Sequence, residues 1–154
     1  MGTYSCRAVL NTVQALAEDP EACALLMFPT KALAQDQRSA IQRLLAAAFP
    51  EGLPAVEVYD GDTPHAQRAD IRTRVRILVT NPDMLHVSIL PAHASFERFL
   101  ANLRYAVVDE SHMCAPRLLL IVAVTYACPC MYRQPATLLN LWCCLLYTSD
   151  AADE

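Results

Sequence analysis

Lysine and glycine are nearly missing from this 154-residue chain: Lys31 is its one lysine, and Gly2, Gly52 and Gly61 are its only glycines. That scarcity excludes the usual phosphate-cradling loop. There, glycine lets the backbone approach a nucleotide and a following Lys-Ser/Thr neutralises the terminal phosphates. Lys31 instead follows Pro29 and Thr30. The segment Gly2-Thr3-Tyr4-Ser5-Cys6-Arg7-Ala8 has some texture of such a loop but carries Cys, Arg and Ala at its critical places. Arginine does not stand in for lysine at such a site. Positive charge is also short. A net charge of −4 gives no global attraction for nucleic acid, so any such binding must come from a local face.

Long apolar runs are missing too. Met1 to Asn11 holds a single Arg and no leader-like stretch, and Leu118 to Ala127 falls short of the roughly 20 residues that span a bilayer. The expectation is a soluble, intracellular chain of cytoplasm or nucleus, with no membrane partner. The seven cysteines lack metal-knuckle spacing, since Cys128-Pro129-Cys130 and Cys143-Cys144 have no two-residue gap.

What is present is an apolar fraction of 55 %, enough for the core of one domain. Val9 to Glu18 reads as a helix, and Ala24 to Phe28 as a strand covered on both faces. Thr30 can cap a helix whose apolar stripe is Leu33, Ile41, Leu44, Leu45 and Ala48, stopped by Pro50 and Gly52. Ala55 to Tyr59 is a second strand, Asp60-Gly61-Asp62 a turn, and Thr63 the expected cap of a helix with Pro64 first. Val75 to Val79 is a third strand, Asn81-Pro82 opens a short helix, Ser95 begins another, and Tyr105 to Val108 is the fourth strand. Alternation of strands and helices implies an α/β fold with a parallel sheet and ligands at the strands' carboxyl ends. Arg68, Arg72, Arg74 and Arg76 form a basic cluster, read as a solvated face.

Three segments carry chemistry at those strand ends. They are Phe28-Pro29-Thr30-Lys31-Ala32-Leu33-Ala34-Gln35-Asp36-Gln37, Thr80-Asn81-Pro82-Asp83-Met84-Leu85 and Ala106-Val107-Val108-Asp109-Glu110-Ser111-His112. An apolar strand that ends in paired acids can hold magnesium beside a phosphate. With Tyr59-Asp60-Gly61-Asp62-Thr63, these motifs resemble the DEAD/DEAH-type (DExH) helicases of superfamily 2. Phe28 to Gln37 and Asn81 to Pro91 are most similar to the mitomycin-repair group of DNA helicases. The likeness covers about Leu16 to His112.

That resemblance implies an incomplete RecA-like (P-loop NTPase) lobe without its P-loop, residues 1–114, from a parent helicase that uses ATP and Mg in DNA repair. It implies that Asp109 holds Mg through water, Glu110 polarises the attacking water, and His112 couples the nucleotide to the nucleic acid. It also implies that Pro29, Thr30, Lys31, Gly61, Thr80, Asn81 and Pro82 meet the backbone of a DNA single strand. Ser111 departs from the commoner Ala or Leu without removing a catalytic group. The missing loop, the missing motifs after His112 and the missing second helicase lobe imply a fragment inactive as it stands, with exposed sheet edges. The alternative is a non-enzymatic nucleic-acid-binding module with a helicase-like fold.

Residues 115–154 change character. Ala115 to Ser149 contains no acid, and Pro116, Pro129 and Pro135 interrupt any periodicity. Cys144 to Glu154 resembles the in-frame translation of a transposon-type sequencing adapter. A shifted reading frame followed by adapter is the expectation, with poor packing against the sheet.

Overall fold

The structure, a computed structural model, describes residues 3–49, 52, 54–109 and 140–143. It is an α/β layered fold built on a parallel sheet. In chain order the elements are α1 (Thr3–Glu18), β1 (Cys23–Met27), α2 (Lys31–Ala48), β2 (Val56–Val58), α3 (His65–Arg74) and β3 (Ile77–Thr80). A helical turn, α4 (Pro82–Met84), runs into a wider π-type turn at Leu85–Ile89. A tight turn at His93–Phe96 leads into α5 (Glu97–Ala101), then β4 (Leu103–Val108) and β5 (Asn140–Cys143). The strands lie in the order β2-β3-β1-β4-β5, every neighbouring pair parallel.

β1 explains itself from its composition. Cys-Ala-Leu-Leu-Met has no charge, all five residues are buried, and side chains alternate between two cores as strand geometry requires. Ala24 and Leu26 join Val9, Val13, Leu16, Ile41 and Leu45 on one face. Cys23, Leu25 and Met27 join Tyr59, Ile71, Phe96 and Phe99 on the other. At about 25 cal/mol per Å² of apolar area, each large side chain so buried contributes on the order of 2 kcal/mol. The expected stripe of α2 turns slightly: Ala34, Gln37, Ile41 and Leu45 face the core, whereas Ala48 is exposed.

Several sequence expectations are corrected here. The helix after Pro64 has no side-chain cap, because Thr63 Oγ1 accepts from the Asp60 amide and donates inward instead. Ser95 caps nothing; the tight turn at His93–Phe96 starts that segment. Three of the four arginines are not a solvated face, while Arg74 stays exposed as expected. Arg76 donates to the carbonyls of Leu16, Asp19 and Ala22, which fall at and after the end of α1. Arg72 donates to the Tyr59 hydroxyl, Arg68 to the carbonyls of Asp60 and Thr63, and Arg74 pairs with Glu57 and Asp70. Orphan carbonyls at helix and turn ends need donors, and a guanidinium supplies several at once.

The free edge expected beside β4 is also filled: β5 pairs along it from Tyr105↔Asn140 to Val108↔Cys143. Parallel pairing asks only for backbone groups, which any extended segment offers. The rest of the expected tail lies outside the described residues.

Candidate nucleic-acid interface and acidic strand end

The strand ends are tied into one row by hydrogen bonds. The Tyr59 amide donates to the Val79 carbonyl at 2.9 Å, and the Thr80 hydroxyl donates to the Tyr59 carbonyl at 2.7 Å. The Phe28 amide donates to the Thr80 carbonyl at 3.0 Å, and the Asp109 amide to the Met27 carbonyl at 2.9 Å. The register Met27↔Thr80 and Met27↔Val108 therefore brings three sequence-distant motifs to one edge. Short-range sequence spacing could not place them side by side.

Each segment leaves its strand as the chain chemistry dictates. Pro29 ends β1, and Thr30 takes an extended conformation and caps α2, its side chain accepting from the Leu33 amide at 3.3 Å. Asn81 does the same after β3, its Oδ1 accepting from the Met84 amide at 2.8 Å with Pro82 in the first helical turn. Both expected caps form.

Lys31 opens α2 and stays exposed. Its Nζ lies 2.7 Å from Asp62 Oδ2, on the turn after β2. That hydrogen bond is the main reason its pKa rises above the usual lysine value; desolvation opposes it, and the charges of Asp62 and Asp60 add smaller upward contributions. The turn itself is held from within. Buried Asp60 accepts from the Asp62 amide through Oδ1 at 2.9 Å and from the Thr63 hydroxyl at 3.2 Å, while Arg68 binds both ends of the turn. The Arg68 guanidinium also lies 5.3 Å from the centre of the Tyr59 ring. Lys31, Gln35, Arg38, Glu57, Asp62 and Gln67 line a cavity of about 460 Å³ between α2 and α3.

Of the residues expected to meet a strand, Pro29, Thr30, Lys31 and Asn81 stand at this edge, with Gly61 beside Lys31. A Cβ added at Gly61 would come to 3.9 Å from Lys31 Nζ. Thr80 and Pro82 are different. Both are buried, and the Thr80 hydroxyl is spent on Tyr59, so they hold the backbone of this edge rather than face outward. Asp109 is half-buried at the end of β4 and has a further partner. Glu110 and His112 lie outside the described residues. Sequence reasoning missed Asp62 as the partner of Lys31. The Asp60-x-x-Thr63 pattern, a self-bonded turn, was the signal available for that turn's rigidity.

Asp109 is a carboxylate of the right type for a water-linked metal, yet no Gly-Lys-Ser/Thr segment stands opposite it anywhere in the chain. Among the described residues no group of three His, Cys, Asp or Glu side chains could hold a metal ion. Nor, among the described residues, is any helix long and apolar enough to cross a membrane.

Comparison with known proteins identifies the family. The DEAD/DEAH box helicase family matches residues 5–117. The ATP-dependent helicase HRQ1 of Saccharomyces cerevisiae is 46 % identical over 104 residues, which is 68 % of this chain and 10 % of that protein. The uncharacterized ATP-dependent helicase YprA of Bacillus subtilis is 43 % identical over 104 residues, 67 % of this chain and 14 % of that one. The chain thus spans about a tenth to a seventh of the length of these curated relatives. Among solved structures, the helicase MrfA bound to DNA and AMPPNP superposes with a TM-score of 0.73 at 34 % identity, covering 88 % of this chain and 18 % of that one. The parallel sheet is that of a helicase RecA-like lobe, and the chain belongs to the DEAD/DEAH box helicase family.

Proposed function

We propose that this chain is part of the first lobe of an ATP-driven DNA helicase, and that the row of strand ends is its DNA-facing edge. The observation that carries the reading is the register. It puts Thr30, Lys31, Asn81 and Asp109 on one edge of a sheet whose family relatives include a helicase bound to DNA. Lys31 supplies charge, the start of α2 supplies free amides, and Pro29, Thr30, Gly61 and Asn81 shape the surface, while Thr80 and Pro82 brace it from below. Contacts of this kind address phosphates rather than bases, which suits a motor that must run over every sequence.

Asp109 is the proposed water-linked magnesium ligand, with Glu110 polarising water and His112 coupling the two sites. ATP and Mg are the proposed cofactors of the protein that carries the phosphate loop. A chain without that loop has no anchor for the phosphates, so this one is proposed to be inert towards ATP by itself. Residues 1–114 are proposed as the helicase lobe and 115–154 as an unrelated tail.

The test is fluorescence anisotropy of a labelled oligothymidylate with the chain and with Lys31→Ala. Expected is binding that weakens with salt, with the variant weaker and its salt slope reduced by about one phosphate's worth. Equal binding by both proteins would remove Lys31 from the track, and no binding at low salt would remove the track itself.

A further inference from the structure

The cations of the Lys31 cavity are already matched. Lys31 is paired with Asp62 at 2.7 Å, and Arg38 with Glu57 at 3.2 Å, while Asp60 adds a third carboxylate to the same wall. A surface built to trap any anion would leave its one lysine open. Here the backbone that carries the covering carboxylate is held in place, because Asp62 rides on a turn locked by buried Asp60 and Thr63 and by Arg68, while its own side chain is exposed. A Cβ at Gly61, next to it, would meet Nζ at 3.9 Å, an ordinary contact.

We propose that Asp62 is a specificity-determining residue, whose carboxylate occupies the place of a backbone phosphate on Lys31 and must be displaced by an incoming strand. The inference rests on the strand-binding reading given above and adds a competition to it. A lone phosphate offers Lys31 nothing that Asp62 does not already provide at fixed, intramolecular distance. A nucleic-acid strand bonds the start of α2 and the Asn81 segment as well, so it can repay the loss of the pair. The device therefore rejects small anions while admitting a polyanionic chain. Because both partners are solvent-exposed, the competition is modest and is screened by salt.

Lys31 gives the experiment a clean handle, since the α-amine is the chain's only other primary amine. The full chain is compared with Asp62→Asn, Lys31→Gln and the double variant, in two measurements. Amine acylation followed by mass spectrometry reads whether Lys31 is held. Anisotropy with oligothymidylate, competed by inorganic phosphate, reads what it binds. Expected for Asp62→Asn is faster acylation at Lys31 and strand affinity raised about threefold at low salt, converging with wild type at high salt. Phosphate should compete more effectively against this variant, and the gain should vanish in the double variant. Unchanged acylation would mean that the pair does not hold the amine, and faster acylation without tighter strand binding would mean that it masks nothing; either result overturns the proposal. Weaker strand binding by Asp62→Asn would assign Asp62 the opposite role, that of orienting Lys31. If neither wild type nor Asp62→Asn binds strand at any salt while acylation still responds, the strand-binding reading falls and the competition falls with it. The Asp62 side chain is exposed, and circular dichroism of each variant verifies that the fold is retained.

Discussion

The Arg72 guanidinium donates to the buried hydroxyl of Tyr59 at 3.0 Å while lying 5.2 Å from the centre of the Phe96 ring. Tyr59 and Phe96 meet edge to face at 5.3 Å, so one arginine closes an aromatic pair directly beneath the turn that carries Asp62. The core and the candidate interface are joined at this point.

Tyr59→Phe tests that joint. Burial by itself raises the hydroxyl's pKa, but hydrogen bonds from Arg72 and Ser88 and the charges of Arg72 and Arg68 outweigh it, so the group sits below its usual value. An acid whose pKa folding lowers adds stability above its unfolded value of about 10, and loses that increment as pH falls through the folded value. At neutral pH it contributes no slope. Urea unfolding should show the variant less stable by about 1–2 kcal/mol near neutrality, the worth of the hydrogen bonds that the hydroxyl makes. In mildly alkaline solution the deficit should grow. A deficit that shrinks with rising pH would contradict the lowered pKa.

Arg76→Met removes three hydrogen bonds to carbonyls of Leu16, Asp19 and Ala22 while keeping much of the side chain's apolar length. The orphaned carbonyls are half-buried, and a loss of about 2–3 kcal/mol is expected. Arg76→Lys can restore one or two of the bonds and should fall between. Chemical denaturation of the three proteins orders them; a neutral Arg76→Met would return this residue to the solvated face read from sequence.

Calorimetric titration of the chain with Mg-ATP should give no heat above dilution, because the sequence holds no Gly-Lys-Ser/Thr loop to anchor the phosphates on which the metal proposed at Asp109 would depend. Micromolar binding would show that Gly2 to Ala8, or another segment, replaces the missing loop.

In a longer protein that carries both the loop and a second lobe, Glu110→Gln should retain ATP binding, since the amide preserves shape and Asp109 remains. Turnover under saturating DNA should fall by roughly 10²-fold or more, the range for losing a positioned base or electrostatic stabiliser. Hydrolysis at the unmodified rate would place the centre elsewhere.

Local chemistry made much of this legible from the sequence. Uncharged β1, the Thr30 and Asn81 caps and the acid-ended β4 follow from short-range rules of hydrophobicity and capping, which a linear reading can apply. The strand boundaries moved by only one or two residues, since fraying ends depend on neighbours. Other features were decided by tertiary structure alone. The pairing of Lys31 with Asp62, the inward turn of the Thr80 hydroxyl and the conversion of Arg68, Arg72 and Arg76 into internal braces all depend on which strand lies beside which. Parallel order is set by crossovers many residues long, and a charged side chain's role is fixed by the carbonyl or carboxylate that this order brings within reach. The sequence determined that Lys31 would follow a strand end; the fold determined that it stands 2.7 Å from Asp62, because only the packing of the turn after β2 beside the start of α2 brings the two together.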